Sequence, residues 1–181
     1  MDELNWRRVS PRYVALLRID KTILCGLILI AFSFPAVLVD AIPLWVAIIG
    51  WSVLGVIWLS LLFLWAPRRF RVTAYASEEK ELHLRVGALW HRHTAVTHNR
   101  IQHLEIEQSP FERMLGLARL IIFTAGGSGA DLTIPGLARE DATALRDGLL
   151  AVIREEQLDD AAITEAGPVA TEPQERNGKD D

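Results

Sequence analysis

Residues 41 to 74 read AIPLWVAIIGWSVLGVIWLSLLFLWAPRRFRVTA, and the organisation of the chain turns on a change of pattern inside them. From Ala41 to Pro67 there is no charged residue. A hydrocarbon core of about 30 Å takes roughly 20 helical residues at about 1.5 Å each, so this run can cross a bilayer with length to spare for tilt. Past Arg68 and Arg69 the period changes. Phe70, Val72 and Ala74 alternate with Arg71 and Thr73, as in a half-buried strand. The expectation is a membrane helix that hands over directly to a β domain.

Toward the N-terminus, residues 22 to 39 (TILCGLILIAFSFPAVLV) form a second uncharged run that just reaches across. Residues 39 to 43 (VDAIP) leave room only for a turn, and Pro43 suits the first turn of the next helix, where its missing N–H removes no intrahelical bond. A transmembrane hairpin spanning about 22–39 and 42–66 follows. A cleaved signal peptide fits poorly, because the next apolar run begins at once. Arg7, Arg8, Arg12, Arg18 and Lys21 precede the first run and Arg68, Arg69 and Arg71 follow the second, while the turn has no basic residue. The positive-inside rule then gives a multi-pass protein with both termini cytoplasmic and Asp40 outside. Trp65 and Trp45 are expected to anchor the two interfaces. Cys25, the single cysteine, lies in the apolar run and forms no internal disulfide.

These runs exclude a soluble single-domain protein, and they account for much of the 50% hydrophobic content of the 181 residues. Charge is also uneven: residues 156 to 181 hold eight of the 23 acidic and two of the 19 basic residues, so the rest of the chain is mildly basic. Residues 158 to 181 lack periodicity and aromatic residues and are expected to be a disordered acidic tail. Residues 1 to 20 mix Trp6, Tyr13 and arginines with Val14, Leu16 and Leu17. They suit either an interfacial segment or a lead-in packed on the following domain.

Residues 67 to 157 read as a cytoplasmic domain. Leu82, Leu84 and Val86 alternate with His83 and Arg85, Gly87 breaks the run, and Leu89 to Val96 continue it. In residues 101 to 108 (IQHLEIEQ), Gln102, Leu104 and Ile106 share one face and His103, Glu105 and Glu107 the other. Ser109 to Gly116 make one helical turn, with Ser109 capping, Pro110 in first position, Glu112 favoured by the dipole and Gly116 stopping it. Residues 117 to 124 (LARLIIFT) are a buried strand, 125 to 129 a loop and 131 to 134 a short strand. From Arg139 an amphipathic helix presents Ala142, Leu145, Leu149, Val152 and Ile153. Six or seven strands and one helix suggest a small barrel or bent sheet closed by that helix.

Pro67-Arg68-Arg69-Phe70 after the hairpin, Leu84-Arg85-Val86-Gly87-Ala88-Leu89-Trp90, Arg100-Ile101-Gln102-His103-Leu104, Leu115-Gly116-Leu117-Ala118 and Thr124-Ala125-Gly126-Gly127 together carry a resemblance. The chain resembles the bacterial pleckstrin-homology-like membrane proteins of the YdbS-like group over nearly everything before the tail. It departs from them in having Thr97-His98-Asn99, where the group usually has a proline and an aromatic or basic residue. The resemblance implies a membrane-anchored, mainly β fold of two orthogonal sheets closed by a C-terminal helix. The motif residues carried over are Gly87, Arg100, Ile101, Gln102, Gly116, Gly126 and Gly127. It implies no enzymatic activity and no cofactor. It also implies the bacterial cytoplasmic membrane and a larger membrane protein with related domains as partner. Tolerance to membrane-active peptides, as an accessory subunit of an export or envelope-stress system, is the alternative role.

The residues themselves single out one region. All five histidines (His83, His91, His93, His98, His103) fall within 21 residues, with Arg85, Arg92 and Arg100 among them. His91 and His93 share a strand face and could share a metal. With no cysteine nearby, solvated polar-face histidines are the better reading. A third reading is a cationic face that strengthens near pH 6 and attracts anionic headgroups. Arg85, His91, Arg92, His93, His98 and Arg100 are thus the candidate surface for a partner or lipid. Arg100 is expected to bond carbonyls or a carboxylate, and Gln102 to satisfy buried backbone groups. The turn Ser77-Glu78-Glu79-Lys80 is net negative and unsuited to inositol phosphates. The Gly126–Gly129 loop lacks the following Lys-Ser/Thr of a phosphate cradle. No nucleophile arrangement stands out, and for nucleic acid the strands lack a basic-aromatic surface beyond the mixed 83 to 103 region. Membrane lipid, a larger membrane protein and a second copy are the expected partners, with no nucleic acid.

Overall fold

The computed structural model describes residues 4–38, 43–78, 80–125 and 130–165. The turn around Asp40, Glu79, the glycines 126, 127 and 129 and the tail from residue 166 lie outside these.

The chain opens with strand β1 (Arg7–Arg8) and helix α1 (Tyr13–Leu38). Helix α2 (Leu44–Ser60) runs through a π-helical turn (Leu61–Trp65) into α3 (Ala66–Val72). Strands β2 (Ala74–Ser77), β3 (Glu81–Gly87) and β4 (His91–Thr97) follow. A 3₁₀ turn (His98–Arg100) then leads to β5 (Ile101–Glu107). Helix α4 (Pro110–Leu115), strands β6 (Leu117–Thr124) and β7 (Ala130–Ala138) and helix α5 (Arg139–Glu165) complete the order. All strand pairs are antiparallel, in two sheets ordered β1-β2-β3-β4 and β5-β6-β7. No strand of one sheet pairs with the other among the described residues, so of the two expected forms, barrel or two sheets, the structure has two separate sheets. Leu82 and Leu84 from the first sheet and Leu120, Ile122, Ile134 and Leu137 from the second meet Ala142 and Leu149 of α5 in one core.

Among the described residues one helix, Trp45–Val72, is long and apolar enough to cross a membrane, and almost none of it is buried. Helix α1 starts earlier than the apolar run, because its first turns belong to the domain: Tyr13 and Leu17 are buried in the core and Arg18, Asp20 and Lys21 follow. Its uncharged part, Thr22 to Leu38, extends only about 25 Å at about 1.5 Å per residue. It packs on α2: Trp58 Nε1 donates to Thr22 Oγ1 at 3.2 Å and Arg18 Nε to the Leu62 carbonyl at 3.3 Å, while Phe32 sits over Gly50.

Three local expectations are corrected. Phe70 and Val72 continue the helix rather than start a strand. The π-helical turn comes just before Pro67 and provides the slack its ring needs, and the helix closes only at Thr73, whose N–H and hydroxyl both reach the Arg69 carbonyl. Residues 135 to 138 extend β7 through Pro135-Gly136; a register shift beside Gly136, at φ 68°, absorbs both. Helix α5 runs to Glu165, into the segment read as tail. Of the two readings of residues 1 to 20, residues 7 to 9 follow the packed lead-in: Arg7 and Arg8 pair with Tyr75 and Ala74, and Val9 is buried.

Candidate functional site

Strand alternation divides β3 and β4 between core and solvent. Leu82, Leu84, Val86 and Val96 face inward, and Glu81, His83, Arg85 and Gly87 face outward opposite Thr97, Ala95, His93 and His91. Ala74 and Ala76 of β2 continue this outer face, because they pair with Arg85 and His83. Their small side chains leave room for the indole of Trp6, which extends from β1 along the same face.

The result is a compact basic-aromatic cluster. The Trp6 and His93 rings lie 5.6 Å apart, His83 and His93 5.4 Å, and the Arg85 guanidinium carbon stands 4.8 Å above the Trp6 ring. Arg85 also donates to the Val72 carbonyl at 3.4 Å, tying the face to the end of the long apolar helix. His83 Nε2 approaches Glu81 at 3.4 Å, while its Nδ1 is buried with no hydrogen-bond partner among the described residues. His91 and His93 are exposed on the same face. Trp6 was absent from the sequence-derived surface, since nothing in residues 1 to 20 tells which strand they will join. The alternation of β3 supplied the rest.

Not all candidates gather here. Arg92 is exposed but alternates to the opposite side of β4. His98 is a correction: it is 1% exposed, its N–H donates to the Lys80 carbonyl, and it lies in the 3₁₀ turn packed beneath α5, so it presents nothing to a partner. Arg100 Nη2 donates to the Ala125 carbonyl at 3.3 Å and Ala125 N–H returns a bond to the Arg100 carbonyl, a clamp between β5 and the end of β6. Ile101 is buried. Gln102 is exposed at the bulge between Ile101 and His103, so it does not serve buried backbone groups as expected. A side chain at Gly87 would strike the Trp90 carbonyl, and Gly116, at φ 67°, closes α4. Gly126 and Gly127 lie outside the described residues.

A second polar centre braces the domain. Glu112, 2% exposed, completes a capping box with Ser109 and receives the Arg119 guanidinium at 2.9 Å. Burial by itself would raise the Glu112 carboxyl. The hydrogen bonds from Arg119 and Ser109, with the Arg119 charge, outweigh it and hold the group below its ordinary value. Arg119 is raised, chiefly by its bond to Glu112.

Comparison with known proteins agrees with this architecture. Residues 21–153 match the family model described as Bacterial PH domain. The chain is 28% identical over 160 residues to the UPF0699 transmembrane protein YdbS of Bacillus subtilis (strain 168), covering 85% of this chain and 96% of that protein. No solved structure matches the chain significantly.

Proposed function

Since this chain belongs to the Bacterial PH domain family, we propose that it is a non-enzymatic integral membrane protein that presents its PH-like domain at the cytoplasmic leaflet as an interaction module in a membrane complex. The observation that carries this reading is the outer face of the first sheet. Trp6, His83, Arg85, His91 and His93 gather there on strands whose other side is the core, and Arg85 joins them to the end of the membrane helix. An aromatic and arginine-centred patch held rigidly beside a membrane suits docking of another protein. The partner we propose is a larger membrane protein with related domains; a second copy of this chain is the alternative occupant.

In this reading α1 and α2 form a two-span hairpin in the bacterial cytoplasmic membrane with both termini cytoplasmic. Support comes from a cationic collar at the domain end of the helix pair. Lys21 Nζ and the Arg69 guanidinium lie 5.1 and 5.3 Å from the Trp65 ring, and the Arg18 guanidinium 5.8 Å from Phe63. The test is purification of tagged full-length protein from native membranes in mild detergent, with mass spectrometry of what stays bound. A stoichiometric membrane protein that is lost with Arg85→Ala and retained with Arg113→Ala is the expected result. Loss of nothing from either variant would reject the docking role of this face.

A further inference from the structure

The tip of the β3–β4 hairpin is built for a different neighbour. Leu89 and Trp90 are 74% and 88% exposed, although Gly87 folds the backbone so tightly that it has no room for a side chain against Trp90. Two large apolar residues at a rigid turn, touching little of their own domain, ordinarily mark a contact with something apolar. Their position identifies it. Ala88 and Leu89 form one wall of a groove of about 340 Å³ whose other wall is the membrane helix itself, from Val56 and Ile57 through Leu61, Leu64 and Trp65 to Arg68.

Four features of this groove point to one ligand. It opens along the face of the spanning helix and is lined almost wholly by apolar side chains, so what fills it comes from the bilayer. From Val56 to Arg68 the helix rises about 18 Å at about 1.5 Å per residue, close to the roughly 15 Å hydrocarbon depth of one leaflet. At its charged end stands Arg68, which enters no ion pair among the described residues, whereas its neighbour Arg69 is engaged over Trp65. The π-helical turn Leu61–Trp65 occupies the middle of the wall, a backbone irregularity that recurs at functional sites.

We propose that this groove holds one anionic glycerophospholipid of the leaflet on the domain side, with an acyl chain between Leu89 and the helix, the phosphate on Arg68, and Trp90 seated at the interface. The site rests on the membrane helix and not on the partner reading above, so either can fail without the other. It separates the two faces of the domain: the hairpin tip reads lipid and the histidine-rich face is left for protein.

The experiment uses full-length protein in nanodiscs of phosphatidylcholine with phosphatidylglycerol, followed by native mass spectrometry after transfer to detergent. Wild type is expected to retain phosphatidylglycerol, Arg68→Gln to retain about fivefold less, and Arg68→Lys to recover most of it, as fits one basic residue near a charged membrane surface. Leu89→Ser, which removes the wall, is expected to lower retention of both lipids. Equal retention by Arg68→Gln and wild type would overturn the proposal, as would an equal loss in Arg71→Gln. In a parallel measurement, acyl-chain-brominated phosphatidylglycerol should quench the part of the fluorescence that Trp90→Phe removes. No quenching of that part, or cross-linking of Leu89→Cys to a second protein chain in the groove, would also overturn it.

Discussion

Glu112 shows what a single buried charge does for this domain. Its carboxylate accepts from the Ser109 N–H at 2.7 Å and from Arg119 at 2.9 Å, so α4, β6 and the turn between them are fixed by one side chain. Its folded-state pKa lies below the ordinary value. The stability it contributes is therefore complete above the unfolded-state pKa and is lost as pH falls through the lower folded value. Glu112→Gln should destabilise the protein by about 2 kcal/mol, less than a fully buried pair because the Arg119 side chain is 38% exposed, and should flatten the acid limb of a pH–stability profile. Denaturant melts between pH 3 and 7 check both. Gly136 is a second such position. Its φ is 68° and the Tyr13 ring lies where a side chain would go, so Gly136→Ala should cost about 1–3 kcal/mol and loosen the N-terminal segment. The capping role of Ser109 and the stop at Gly116 were readable in the sequence, since both are local. The Arg119 partner was not, because it comes from another element.

Between elements, the decisive contact is that of α1 with α2. Phe32 lies over Gly50, close enough that any side chain there must push the ring away, and three serines (Ser33, Ser52, Ser60) return their hydroxyls to carbonyls one turn back. That leaves the Trp58–Thr22 bond and the Arg18 bond to the Leu62 carbonyl as the polar links between the helices among the described residues. In a Cys25→Ser background, Thr22→Cys with Trp58→Cys should cross-link efficiently with a short bis-maleimide. Adding Gly50→Leu should reduce the yield several-fold. The same scale explains where strand reading failed. Phe70 and Val72 satisfy a period of two, but one turn of helix also carries them. Without a cap before Thr73, the preceding helix had no reason to stop. In β7, Pro135-Gly136 looks like a break in sequence and is a bulge in space.

Across the whole molecule, the N-terminal residues join the domain before the chain enters its helices. Ser10 N–H donates to the Gly136 carbonyl and Arg12 to the Leu115 carbonyl, so residues on both sides of the helical segment share one core. If the helices form the proposed hairpin, Asn5→Cys and Gln157→Cys, each in a Cys25→Ser background, should react with an impermeant maleimide only when the cytoplasmic side is open, and Asp40→Cys only from the other side. Labelling of Asn5→Cys and Gln157→Cys from opposite sides would reject it.

The sequence by itself determined the apolar helix long enough to cross a membrane, the alternation of β3, the amphipathic start of α5 and the family likeness. Each of these depends on period and composition within one stretch of chain. Only the tertiary structure decided that Trp6 completes the histidine face, that His98 is core, that the two sheets do not pair with each other among the described residues and that Leu89 stands against the long apolar helix. These are pairings between segments far apart in the chain, fixed by which apolar faces bury one another, and no local pattern records them.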